Sequence, residues 1–301
     1  MKNHSILPHS FRFRKAGAGA LLILGLLACT EEKKPDIPTP TPDPTSTASN
    51  AEAKDYGQYT ELIWSDEFNG SGAIDGTKWT AETGGSGWGN NELQYYTTST
   101  ENAYMVGGNL IIEAKKQSME GRNYTSARLI TKGKRSFQFG RIDVRAKLPK
   151  GQGIWPAIWM LGSDIDQNNW PACGEIDIME LRGQEPNKIL STMHYGSSTA
   201  THQYKGSETT LANGSFADDF HIFSVVRSKD KIRSYVDGRE FYAFTTSDTA
   251  PYAYPFNNPF FVILNVAVGG NFLGNPSTTV IDTTPFPQQM MVDYVRFYQY
   301  K

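Results

Sequence analysis

Along most of the chain, short runs of alternating apolar and polar residues are punctuated by Gly, Asn and Asp. A period of two is the mark of β-strands with one buried face. Phe139-Gly-Arg-Ile-Asp-Val-Arg-Ala-Lys-Leu places Ile142, Val144, Ala146 and Leu148 on one side. Asn109-Leu-Ile-Ile-Glu-Ala is a second run, and Met291-Val-Asp-Tyr-Val-Arg-Phe-Tyr closes the chain. Lys231-Ile-Arg-Ser-Tyr-Val and Arg239-Glu-Phe-Tyr-Ala-Phe flank Asp237-Gly238, which predicts a hairpin on a type I′ turn. Phe261-Val-Ile-Leu-Asn-Val-Ala-Val is too apolar for a half-exposed strand and belongs in the interior. The sequence shows neither a helical period of ordinary length nor an internal repeat. Many short strands over residues 55–301 predict an all-β fold, a two-sheet β-sandwich of jelly-roll type.

One run is out of step with that alternation. Gly174-Glu175-Ile-Asp177-Ile-Met-Glu180-Leu carries three carboxylates separated only by large apolar side chains. On a regular strand Glu175, Asp177 and Met179 share a face, and Glu180 points the other way. Two carboxylates can act on one sugar bond only from the same face. A β-bulge near Ile178 or Met179 is therefore expected, swinging Glu180 round beside Asp177. Carboxylates on a buried strand are costly unless they line a cleft and serve chemistry. Two of them flanking a glycosidic bond are the equipment of glycoside hydrolysis. The plainer reading is a strand whose acids pair with nearby bases such as Arg182.

Aromatic residues cluster around this run. Trp155 and Trp159 stand four apart in Gly153-Ile-Trp-Pro-Ala-Ile-Trp, just ahead of the acidic strand. Flat indoles stack on the C–H faces of sugars, although core packing accounts for such residues equally well. Trp88-Gly-Asn-Asn-Glu-Leu-Gln-Tyr-Tyr mixes aromatics with amides, a lining suited to hydroxyl groups or simply a turn followed by a strand.

The first residues are addressed elsewhere than the fold. Lys2, Arg12, Arg14 and Lys15 form a basic region, and residues 16–28 form an apolar run too short for a permanent membrane helix. The run ends Leu26-Leu-Ala-Cys29, which resembles a bacterial lipobox with cleavage before Cys29 and lipidation of its sulfur. Residues 1–28 are read as a lipoprotein signal peptide. Thr30 and the pair Glu31-Glu32 resemble the sorting pattern of surface-exposed outer-membrane lipoproteins in Gram-negative bacteria. Residues 29–54 follow as the lipidated Cys and a Pro/Thr-rich tether with little to bury. Cys173 is then alone in the mature domain, which rules out an internal disulfide; it reads as a small buried residue.

Charge narrows the partners. The 301-residue chain has a formal net charge of −2, so no nucleic-acid partner is indicated. Lys132, Lys134 and Arg135 read as a solvated turn.

Taken in order, these blocks resemble glycoside hydrolase family 16, in its bacterial laminarinase-like endo-β-1,3-glucanase branch. The matching stretches are the acidic run, Trp155 to Trp159, Trp88 to Tyr96, His194-Tyr-Gly, Tyr235-Val-Asp-Gly, Leu264-Asn-Val-Ala-Val-Gly-Gly and Val292-Asp-Tyr-Val-Arg. The resemblance implies a jelly roll with a concave sheet forming an open cleft, and retaining endo-hydrolysis of β-1,3-glucosidic bonds in laminarin-type glucans, with mixed-linkage glucan as a second substrate. It implies Glu175 as nucleophile, Glu180 as acid/base and Asp177 between them as the group that orients Glu175 and holds the proton on Glu180. His194 matches a histidine on the leaving-group side. Asn90, Arg128, Trp155 and Trp159 are the expected sugar contacts. Catalysis needs no cofactor; a structural Ca²⁺ is implied at Glu67, the Gly108 carbonyl and Asp293, oxygen donors that suit it. A monomer is expected. Departures from the family lie at Val226-Arg227 and at Phe272, where Trp is frequent. Two other enzyme readings stand beside this one: a hydrolase of agar or carrageenan galactans, and a transglycosylase. A non-catalytic lectin would share the sandwich and the tryptophans but has no use for three clustered carboxylates.

Overall fold

The computed structural model describes residues 49–274 and 283–301. The leader, the lipobox with Cys29 and most of the tether therefore lie outside the described residues. In chain order the strands begin β1 (Glu61–Asp66), β2 (Thr80–Ala81), β3 (Gln94–Tyr96), β4 (Ala103–Val106), β5 (Asn109–Ala114) and β6 (Tyr124–Ser126). Next come β7 (Arg128–Ile130), β8 (Gly140–Lys147), β9 (Ile154–Gly162), β10 (Glu175–Leu181), β11 (Lys188–Tyr195) and β12 (Gln203–Thr210). The last are β13 (His221–Ser228), β14 (Lys231–Val236), β15 (Arg239–Thr245), β16 (Phe260–Val268) and β17 (Gln288–Gln299). The one α-helical turn among the described residues is Thr246–Thr249.

Two antiparallel sheets take up nearly all of these strands. The back sheet runs β15-β14-β13-β8-β17-β5-β4, with β1 also paired to β17. Strand β17 is long enough for both: β5 pairs along its first half and β1 along its second. The front sheet runs β12-β11-β10-β9-β16-β7-β2 and carries the acidic strand. The expected two-sheet, jelly-roll sandwich is borne out.

Alternation explains the layering. Ile142, Val144 and Ala146 of β8 turn into a core shared with Ile158 and Met160 of β9, Ile176 of β10 and Val262 and Leu264 of β16. Each such fully buried aliphatic side chain contributes about 1.5–3 kcal/mol before entropy is counted. Strand β16 is buried along its whole length. Its second face is covered by a smaller cluster in which Phe261 and Ile263 meet Ile130, Leu161 and Cys173, with Trp159 and Trp170 packed against them. Cys173 is free and buried, and burial pushes its thiol up to about 12. The predicted hairpin is present: Asp237 and Gly238 have φ of 50° and 75°, the double positive φ that a type I′ turn requires.

Two details refine the outline. Asn50 is buried and accepts from the Tyr300 amide at 2.8 Å, so the last residues assigned to the tether lie against the fold. Arg227, at one of the departures from the resemblance, is 2% exposed. Its guanidinium donates to the carbonyls of Phe137, Phe256 and Asn258 and lies over the Phe260 ring. Carbonyl oxygens and an aromatic face thus replace the water that a buried charge would otherwise lose.

Candidate active site

The acidic strand is bulged where the spacing required it. Against β9, Asp177 faces Trp159 and Met179 faces Ile158, leaving Ile178 as the extra residue. Against β11, Asp177 faces Thr192 and Glu180 faces Leu190, so Ile178 and Met179 together oppose Ser191. Ser191 Oγ donates to the Asp177 carbonyl at 2.7 Å within this irregular stretch. Ile176, Ile178, Met179 and Leu181 all enter the core. Glu175, Asp177 and Glu180 are left on the opposite face, looking away from the sandwich.

Indole donors hold two of the carboxylates, and a histidine stands beside the third. Trp170 Nε1 donates to Glu175 Oε2 at 2.9 Å. Trp155 Nε1 donates to Glu180 Oε1 at 3.1 Å. His194 lies opposite Glu175 in the ladder, and its Nε2 is 3.1 Å from Asp177 Oδ2 and 3.7 Å from Glu175 Oε1. Its other ring nitrogen, Nδ1, lies 2.8 Å from Nε2 of His202. Asp177 is 3% and Glu180 8% exposed. Burial, reinforced by the neighbouring Asp177 charge, pushes Glu175 and Glu180 up to about 8. Burial alone drives Asp177 well above the usual carboxylate range. Burial and mutual repulsion thus favour protonated forms within this group, which gives the site an acid to donate.

The flank toward β7 is aromatic and cationic. The Arg128 guanidinium lies 4.6 Å from the Trp159 ring centre and 4.7 Å from that of Trp88, and its Nε donates to Glu82 at 2.6 Å. Trp159 Nε1 donates to Asn265 Oδ1 at 2.7 Å, and Asn265 Nδ2 donates to the Tyr96 hydroxyl at 3.1 Å. That hydroxyl in turn donates to the buried Glu92. Asn90 sits in the adjoining turn, its carbonyl accepting from the Asn271 amide. A face of buried acids bordered by indoles and amides suits a polyhydroxylated chain.

Comparison with known proteins decides the class. The profile of glycosyl hydrolases family 16 matches residues 90–296. The chain belongs to glycosyl hydrolase family 16. A β-glucanase of Rhodothermus marinus is 43% identical over 83% of this chain and 89% of its own length. A glucan endo-1,3-β-glucosidase A1 of Niallia circulans is 44% identical over 79% of this chain, which spans 38% of that longer enzyme. The catalytic domain of an endo-1,3-β-glucanase (laminarinase) from Thermotoga petrophila superposes with a TM-score of 0.73 at 44% identity, over 80% of this chain and 98% of that one.

Several residues of this family 16 enzyme reach the site without having been singled out in the sequence: Trp170, Asn265, His202, Glu82 and Tyr204. Asn265 had a signal, as the one amide inside the apolar β16 run. Trp170 stands five residues before the acidic strand and had none beyond being aromatic. Trp155 is 8% exposed, stacked on Phe272 at 4.9 Å and bonded to Glu180, so it works on the acid at least as much as on a sugar. Phe272, one of the departures, is thereby one residue removed from Glu180.

The residues implied for calcium converge elsewhere. Register brings Glu67, at the end of β1, and Gly108, at the start of β5, towards the Asp293 stretch of β17. Arg296 takes both carboxylate oxygens of Glu67, at 2.9 and 2.7 Å, and Arg145 takes Asp293 Oδ2 at 2.8 Å. The side-chain charges are thus balanced by guanidiniums, and a cation here would rest mainly on main-chain carbonyls.

Proposed function

We propose that the chain is a retaining endo-β-1,3-glucanase that cleaves laminarin-type glucans and accepts mixed-linkage glucan. The observation that carries the reading is the bulge at Ile178-Met179, which leaves Glu175, Asp177 and Glu180 on one face between aromatic flanks. The glucanase activities of the Rhodothermus, Niallia and Thermotoga proteins support the glucan. In the proposed mechanism Glu175 attacks the anomeric carbon and the bond to the leaving oxygen breaks as Glu180 gives that oxygen its proton. Glu180, now ionised, takes a proton from water, which opens the glycosyl-enzyme and restores Glu175. Asp177 and His194 hold the charge of the group steady between the two steps. Glu175 and Glu180 share a face with Asp177 between them, and retention needs their carboxyl groups to converge to about 5–5.5 Å over the bound sugar.

The test is a product analysis on laminarin, mixed-linkage glucan, agarose and carrageenan, with proton NMR of the first product. Internal cuts in laminarin and an initial β-anomer are expected. An initial α-anomer, glucose released alone from chain ends, or preference for a galactan overturns the reading. Glu175→Gln and Glu180→Gln should each lose turnover while still binding laminarin.

We further propose that Cys29 carries a lipid anchor and that the domain acts as a monomer on the outer surface of a Gram-negative envelope, on a tether that ends where Asn50 meets the fold. The lipobox-like Leu-Leu-Ala-Cys and the acidic pair that follows support this. A Cys29→Ser protein that still fractionates with the outer membrane after normal processing sinks it. The structural calcium belongs to the same proposal, supported by the convergence of Glu67, Gly108 and Asp293; an unchanged melting temperature in millimolar CaCl₂ and in EDTA removes it.

A further inference from the structure

Beyond the acids, the front sheet ends in a row of rings. His194 of β11 faces Tyr204 of β12 across the ladder, as it faces Glu175 on its other side. Directly opposed residues in a ladder share a face. Tyr204 therefore lies on the catalytic face, two strands from Glu175, a distance on the order of 10 Å. It is 67% exposed, against a described surface on which the one other large apolar residue so exposed is Val106.

Single exposed aromatics are ordinary, and exposure alone says nothing. Tyr204 is not isolated. Its ring is stacked with the imidazoles of His194, at 5.7 Å and 30°, and of His202, at 5.9 Å and 28°. His194 and His202 are themselves stacked at 5.1 Å and 12°. The Trp170 indole, which donates to Glu175, packs on His202 at 4.5 Å. A continuous wall of four rings thus runs from the nucleophile to the outermost strand. The His202 pKa is lowered, chiefly by burial and then by His194, which favours the neutral ring.

We infer that Tyr204, braced by His202, is a sugar-binding platform that stacks a glucosyl unit of the substrate beyond the point of cleavage, on the flank opposite Arg128 and Trp159. The inference rests on the glucanase reading above. The phenol ring offers a flat apolar face of the size of a pyranose, and its hydroxyl can bond to a neighbouring sugar hydroxyl. Its neighbour on β12 in the same row is Gly206, which has no side chain to cover the platform. With His194 on the leaving-group side, the platform would hold the departing part of the chain.

The experiment compares wild type with Tyr204→Ala, Tyr204→Trp and Tyr204→Leu on two substrates. One is reducing-end-labelled laminarihexaose, long enough to reach the wall. The other is 4-nitrophenyl β-laminaribioside, whose aryl leaving group stops short of it. For Tyr204→Ala we expect KM on the hexasaccharide to rise about tenfold, with the cut moved toward the reducing end as chains avoid the lost subsite. kcat/KM on the aryl glycoside should fall far less than on the hexasaccharide, and Tyr204→Trp, but not Tyr204→Leu, should restore the pattern. An unchanged KM and cleavage pattern overturns the platform. Equal losses on both substrates also overturn it, since they would mean that Tyr204 merely holds His194 in place. A wild-type enzyme that leaves laminarihexaose intact overturns the glucanase reading itself, and the platform with it.

Discussion

The Trp170 indole nitrogen lies 2.9 Å from Glu175 Oε2, reached by a loop that folds back over the start of the acidic strand. This hydrogen bond favours ionised Glu175, against burial and the Asp177 charge, which both favour the acid form. A nucleophile must be ionised, so the bond helps to set the lower pH limit of activity. Trp170→Phe removes the donor and keeps most of the ring. The acidic limb of the kcat/KM profile should move to higher pH, with roughly tenfold lower activity at the wild-type optimum. A profile that falls uniformly with no shift of the limb would show that Trp170 acts only by packing.

The crowded carboxyls should be visible in stability as well as rate. Glu180 is pushed up to about 8 in the folded protein, far above its value in an unfolded chain. A carboxyl with a raised folded pKa favours folding below the unfolded value. That contribution is lost as pH climbs from about 4 through 8, because the buried group must then ionise or hold its proton at a cost. Glu180→Gln keeps an oxygen for Trp155 and removes the charge. Its melting temperature should match wild type near pH 4 and exceed it by several degrees near pH 9. The same offset at both ends would mean that Glu180 is not strained by ionisation.

Parity along β10 makes an unusual prediction. Deleting Met179 removes one of the two residues that oppose Ser191, and regular alternation then leaves Glu175, Asp177 and Glu180 still on one face. Deleting Ile178 and Met179 together instead leaves a spacing of three and drives Glu180 toward the core. The single deletion should retain measurable hydrolysis with stability reduced by about 2–4 kcal/mol for the lost core side chain. The double deletion should retain none. Denaturant titration and laminarin assays on the two proteins check both halves. An inactive but well-folded single-deletion variant would show that the bulge itself, not the shared face, is what the chemistry needs.

Asn265 joins the sugar flank to the interior. It accepts from Trp159 and donates to Tyr96, and it is 5% exposed. Asn265→Ala takes the acceptor from the Trp159 indole N–H, at a cost of about 1–3 kcal/mol, and removes one of the two bonds of the Tyr96 hydroxyl, which keeps Glu92. With the Trp159 ring less firmly held, KM for laminarin should rise severalfold while kcat changes less. Urea unfolding together with steady-state kinetics reads both effects. A large kcat loss at constant KM would move Asn265 from holding the substrate to the chemical step.

Much of this protein was legible along the chain because its determinants are local. Strand periodicity is a property of neighbouring residues, so the runs over Ile142 to Leu148 and Phe261 to Val268 declared their strands and their buried faces. Asp237-Gly238 declared a turn for the same reason. Even the bulge could be read, because three carboxylates at spacings of two and three cannot share a face on a regular strand. The partners of those carboxylates could not be read. Trp170 meets Glu175 only because residues 162–174 fold back onto the outer face of β9 and β16. Asn265 meets Trp159 and Tyr96 only through the pairing of β16 with β9 and the packing of β3 beside them. His202 and Tyr204 join the catalytic face because β12 adds to the edge of β11, which no pattern within β12 announces; its residues are nearly all exposed. The sequence by itself determined which segments are strands and which side chains carry the chemistry, since both depend on contacts within a few residues. Tertiary structure alone decided which groups surround the acids and so how far their protons are held, because burial and neighbouring charge arise from residues distant in the chain.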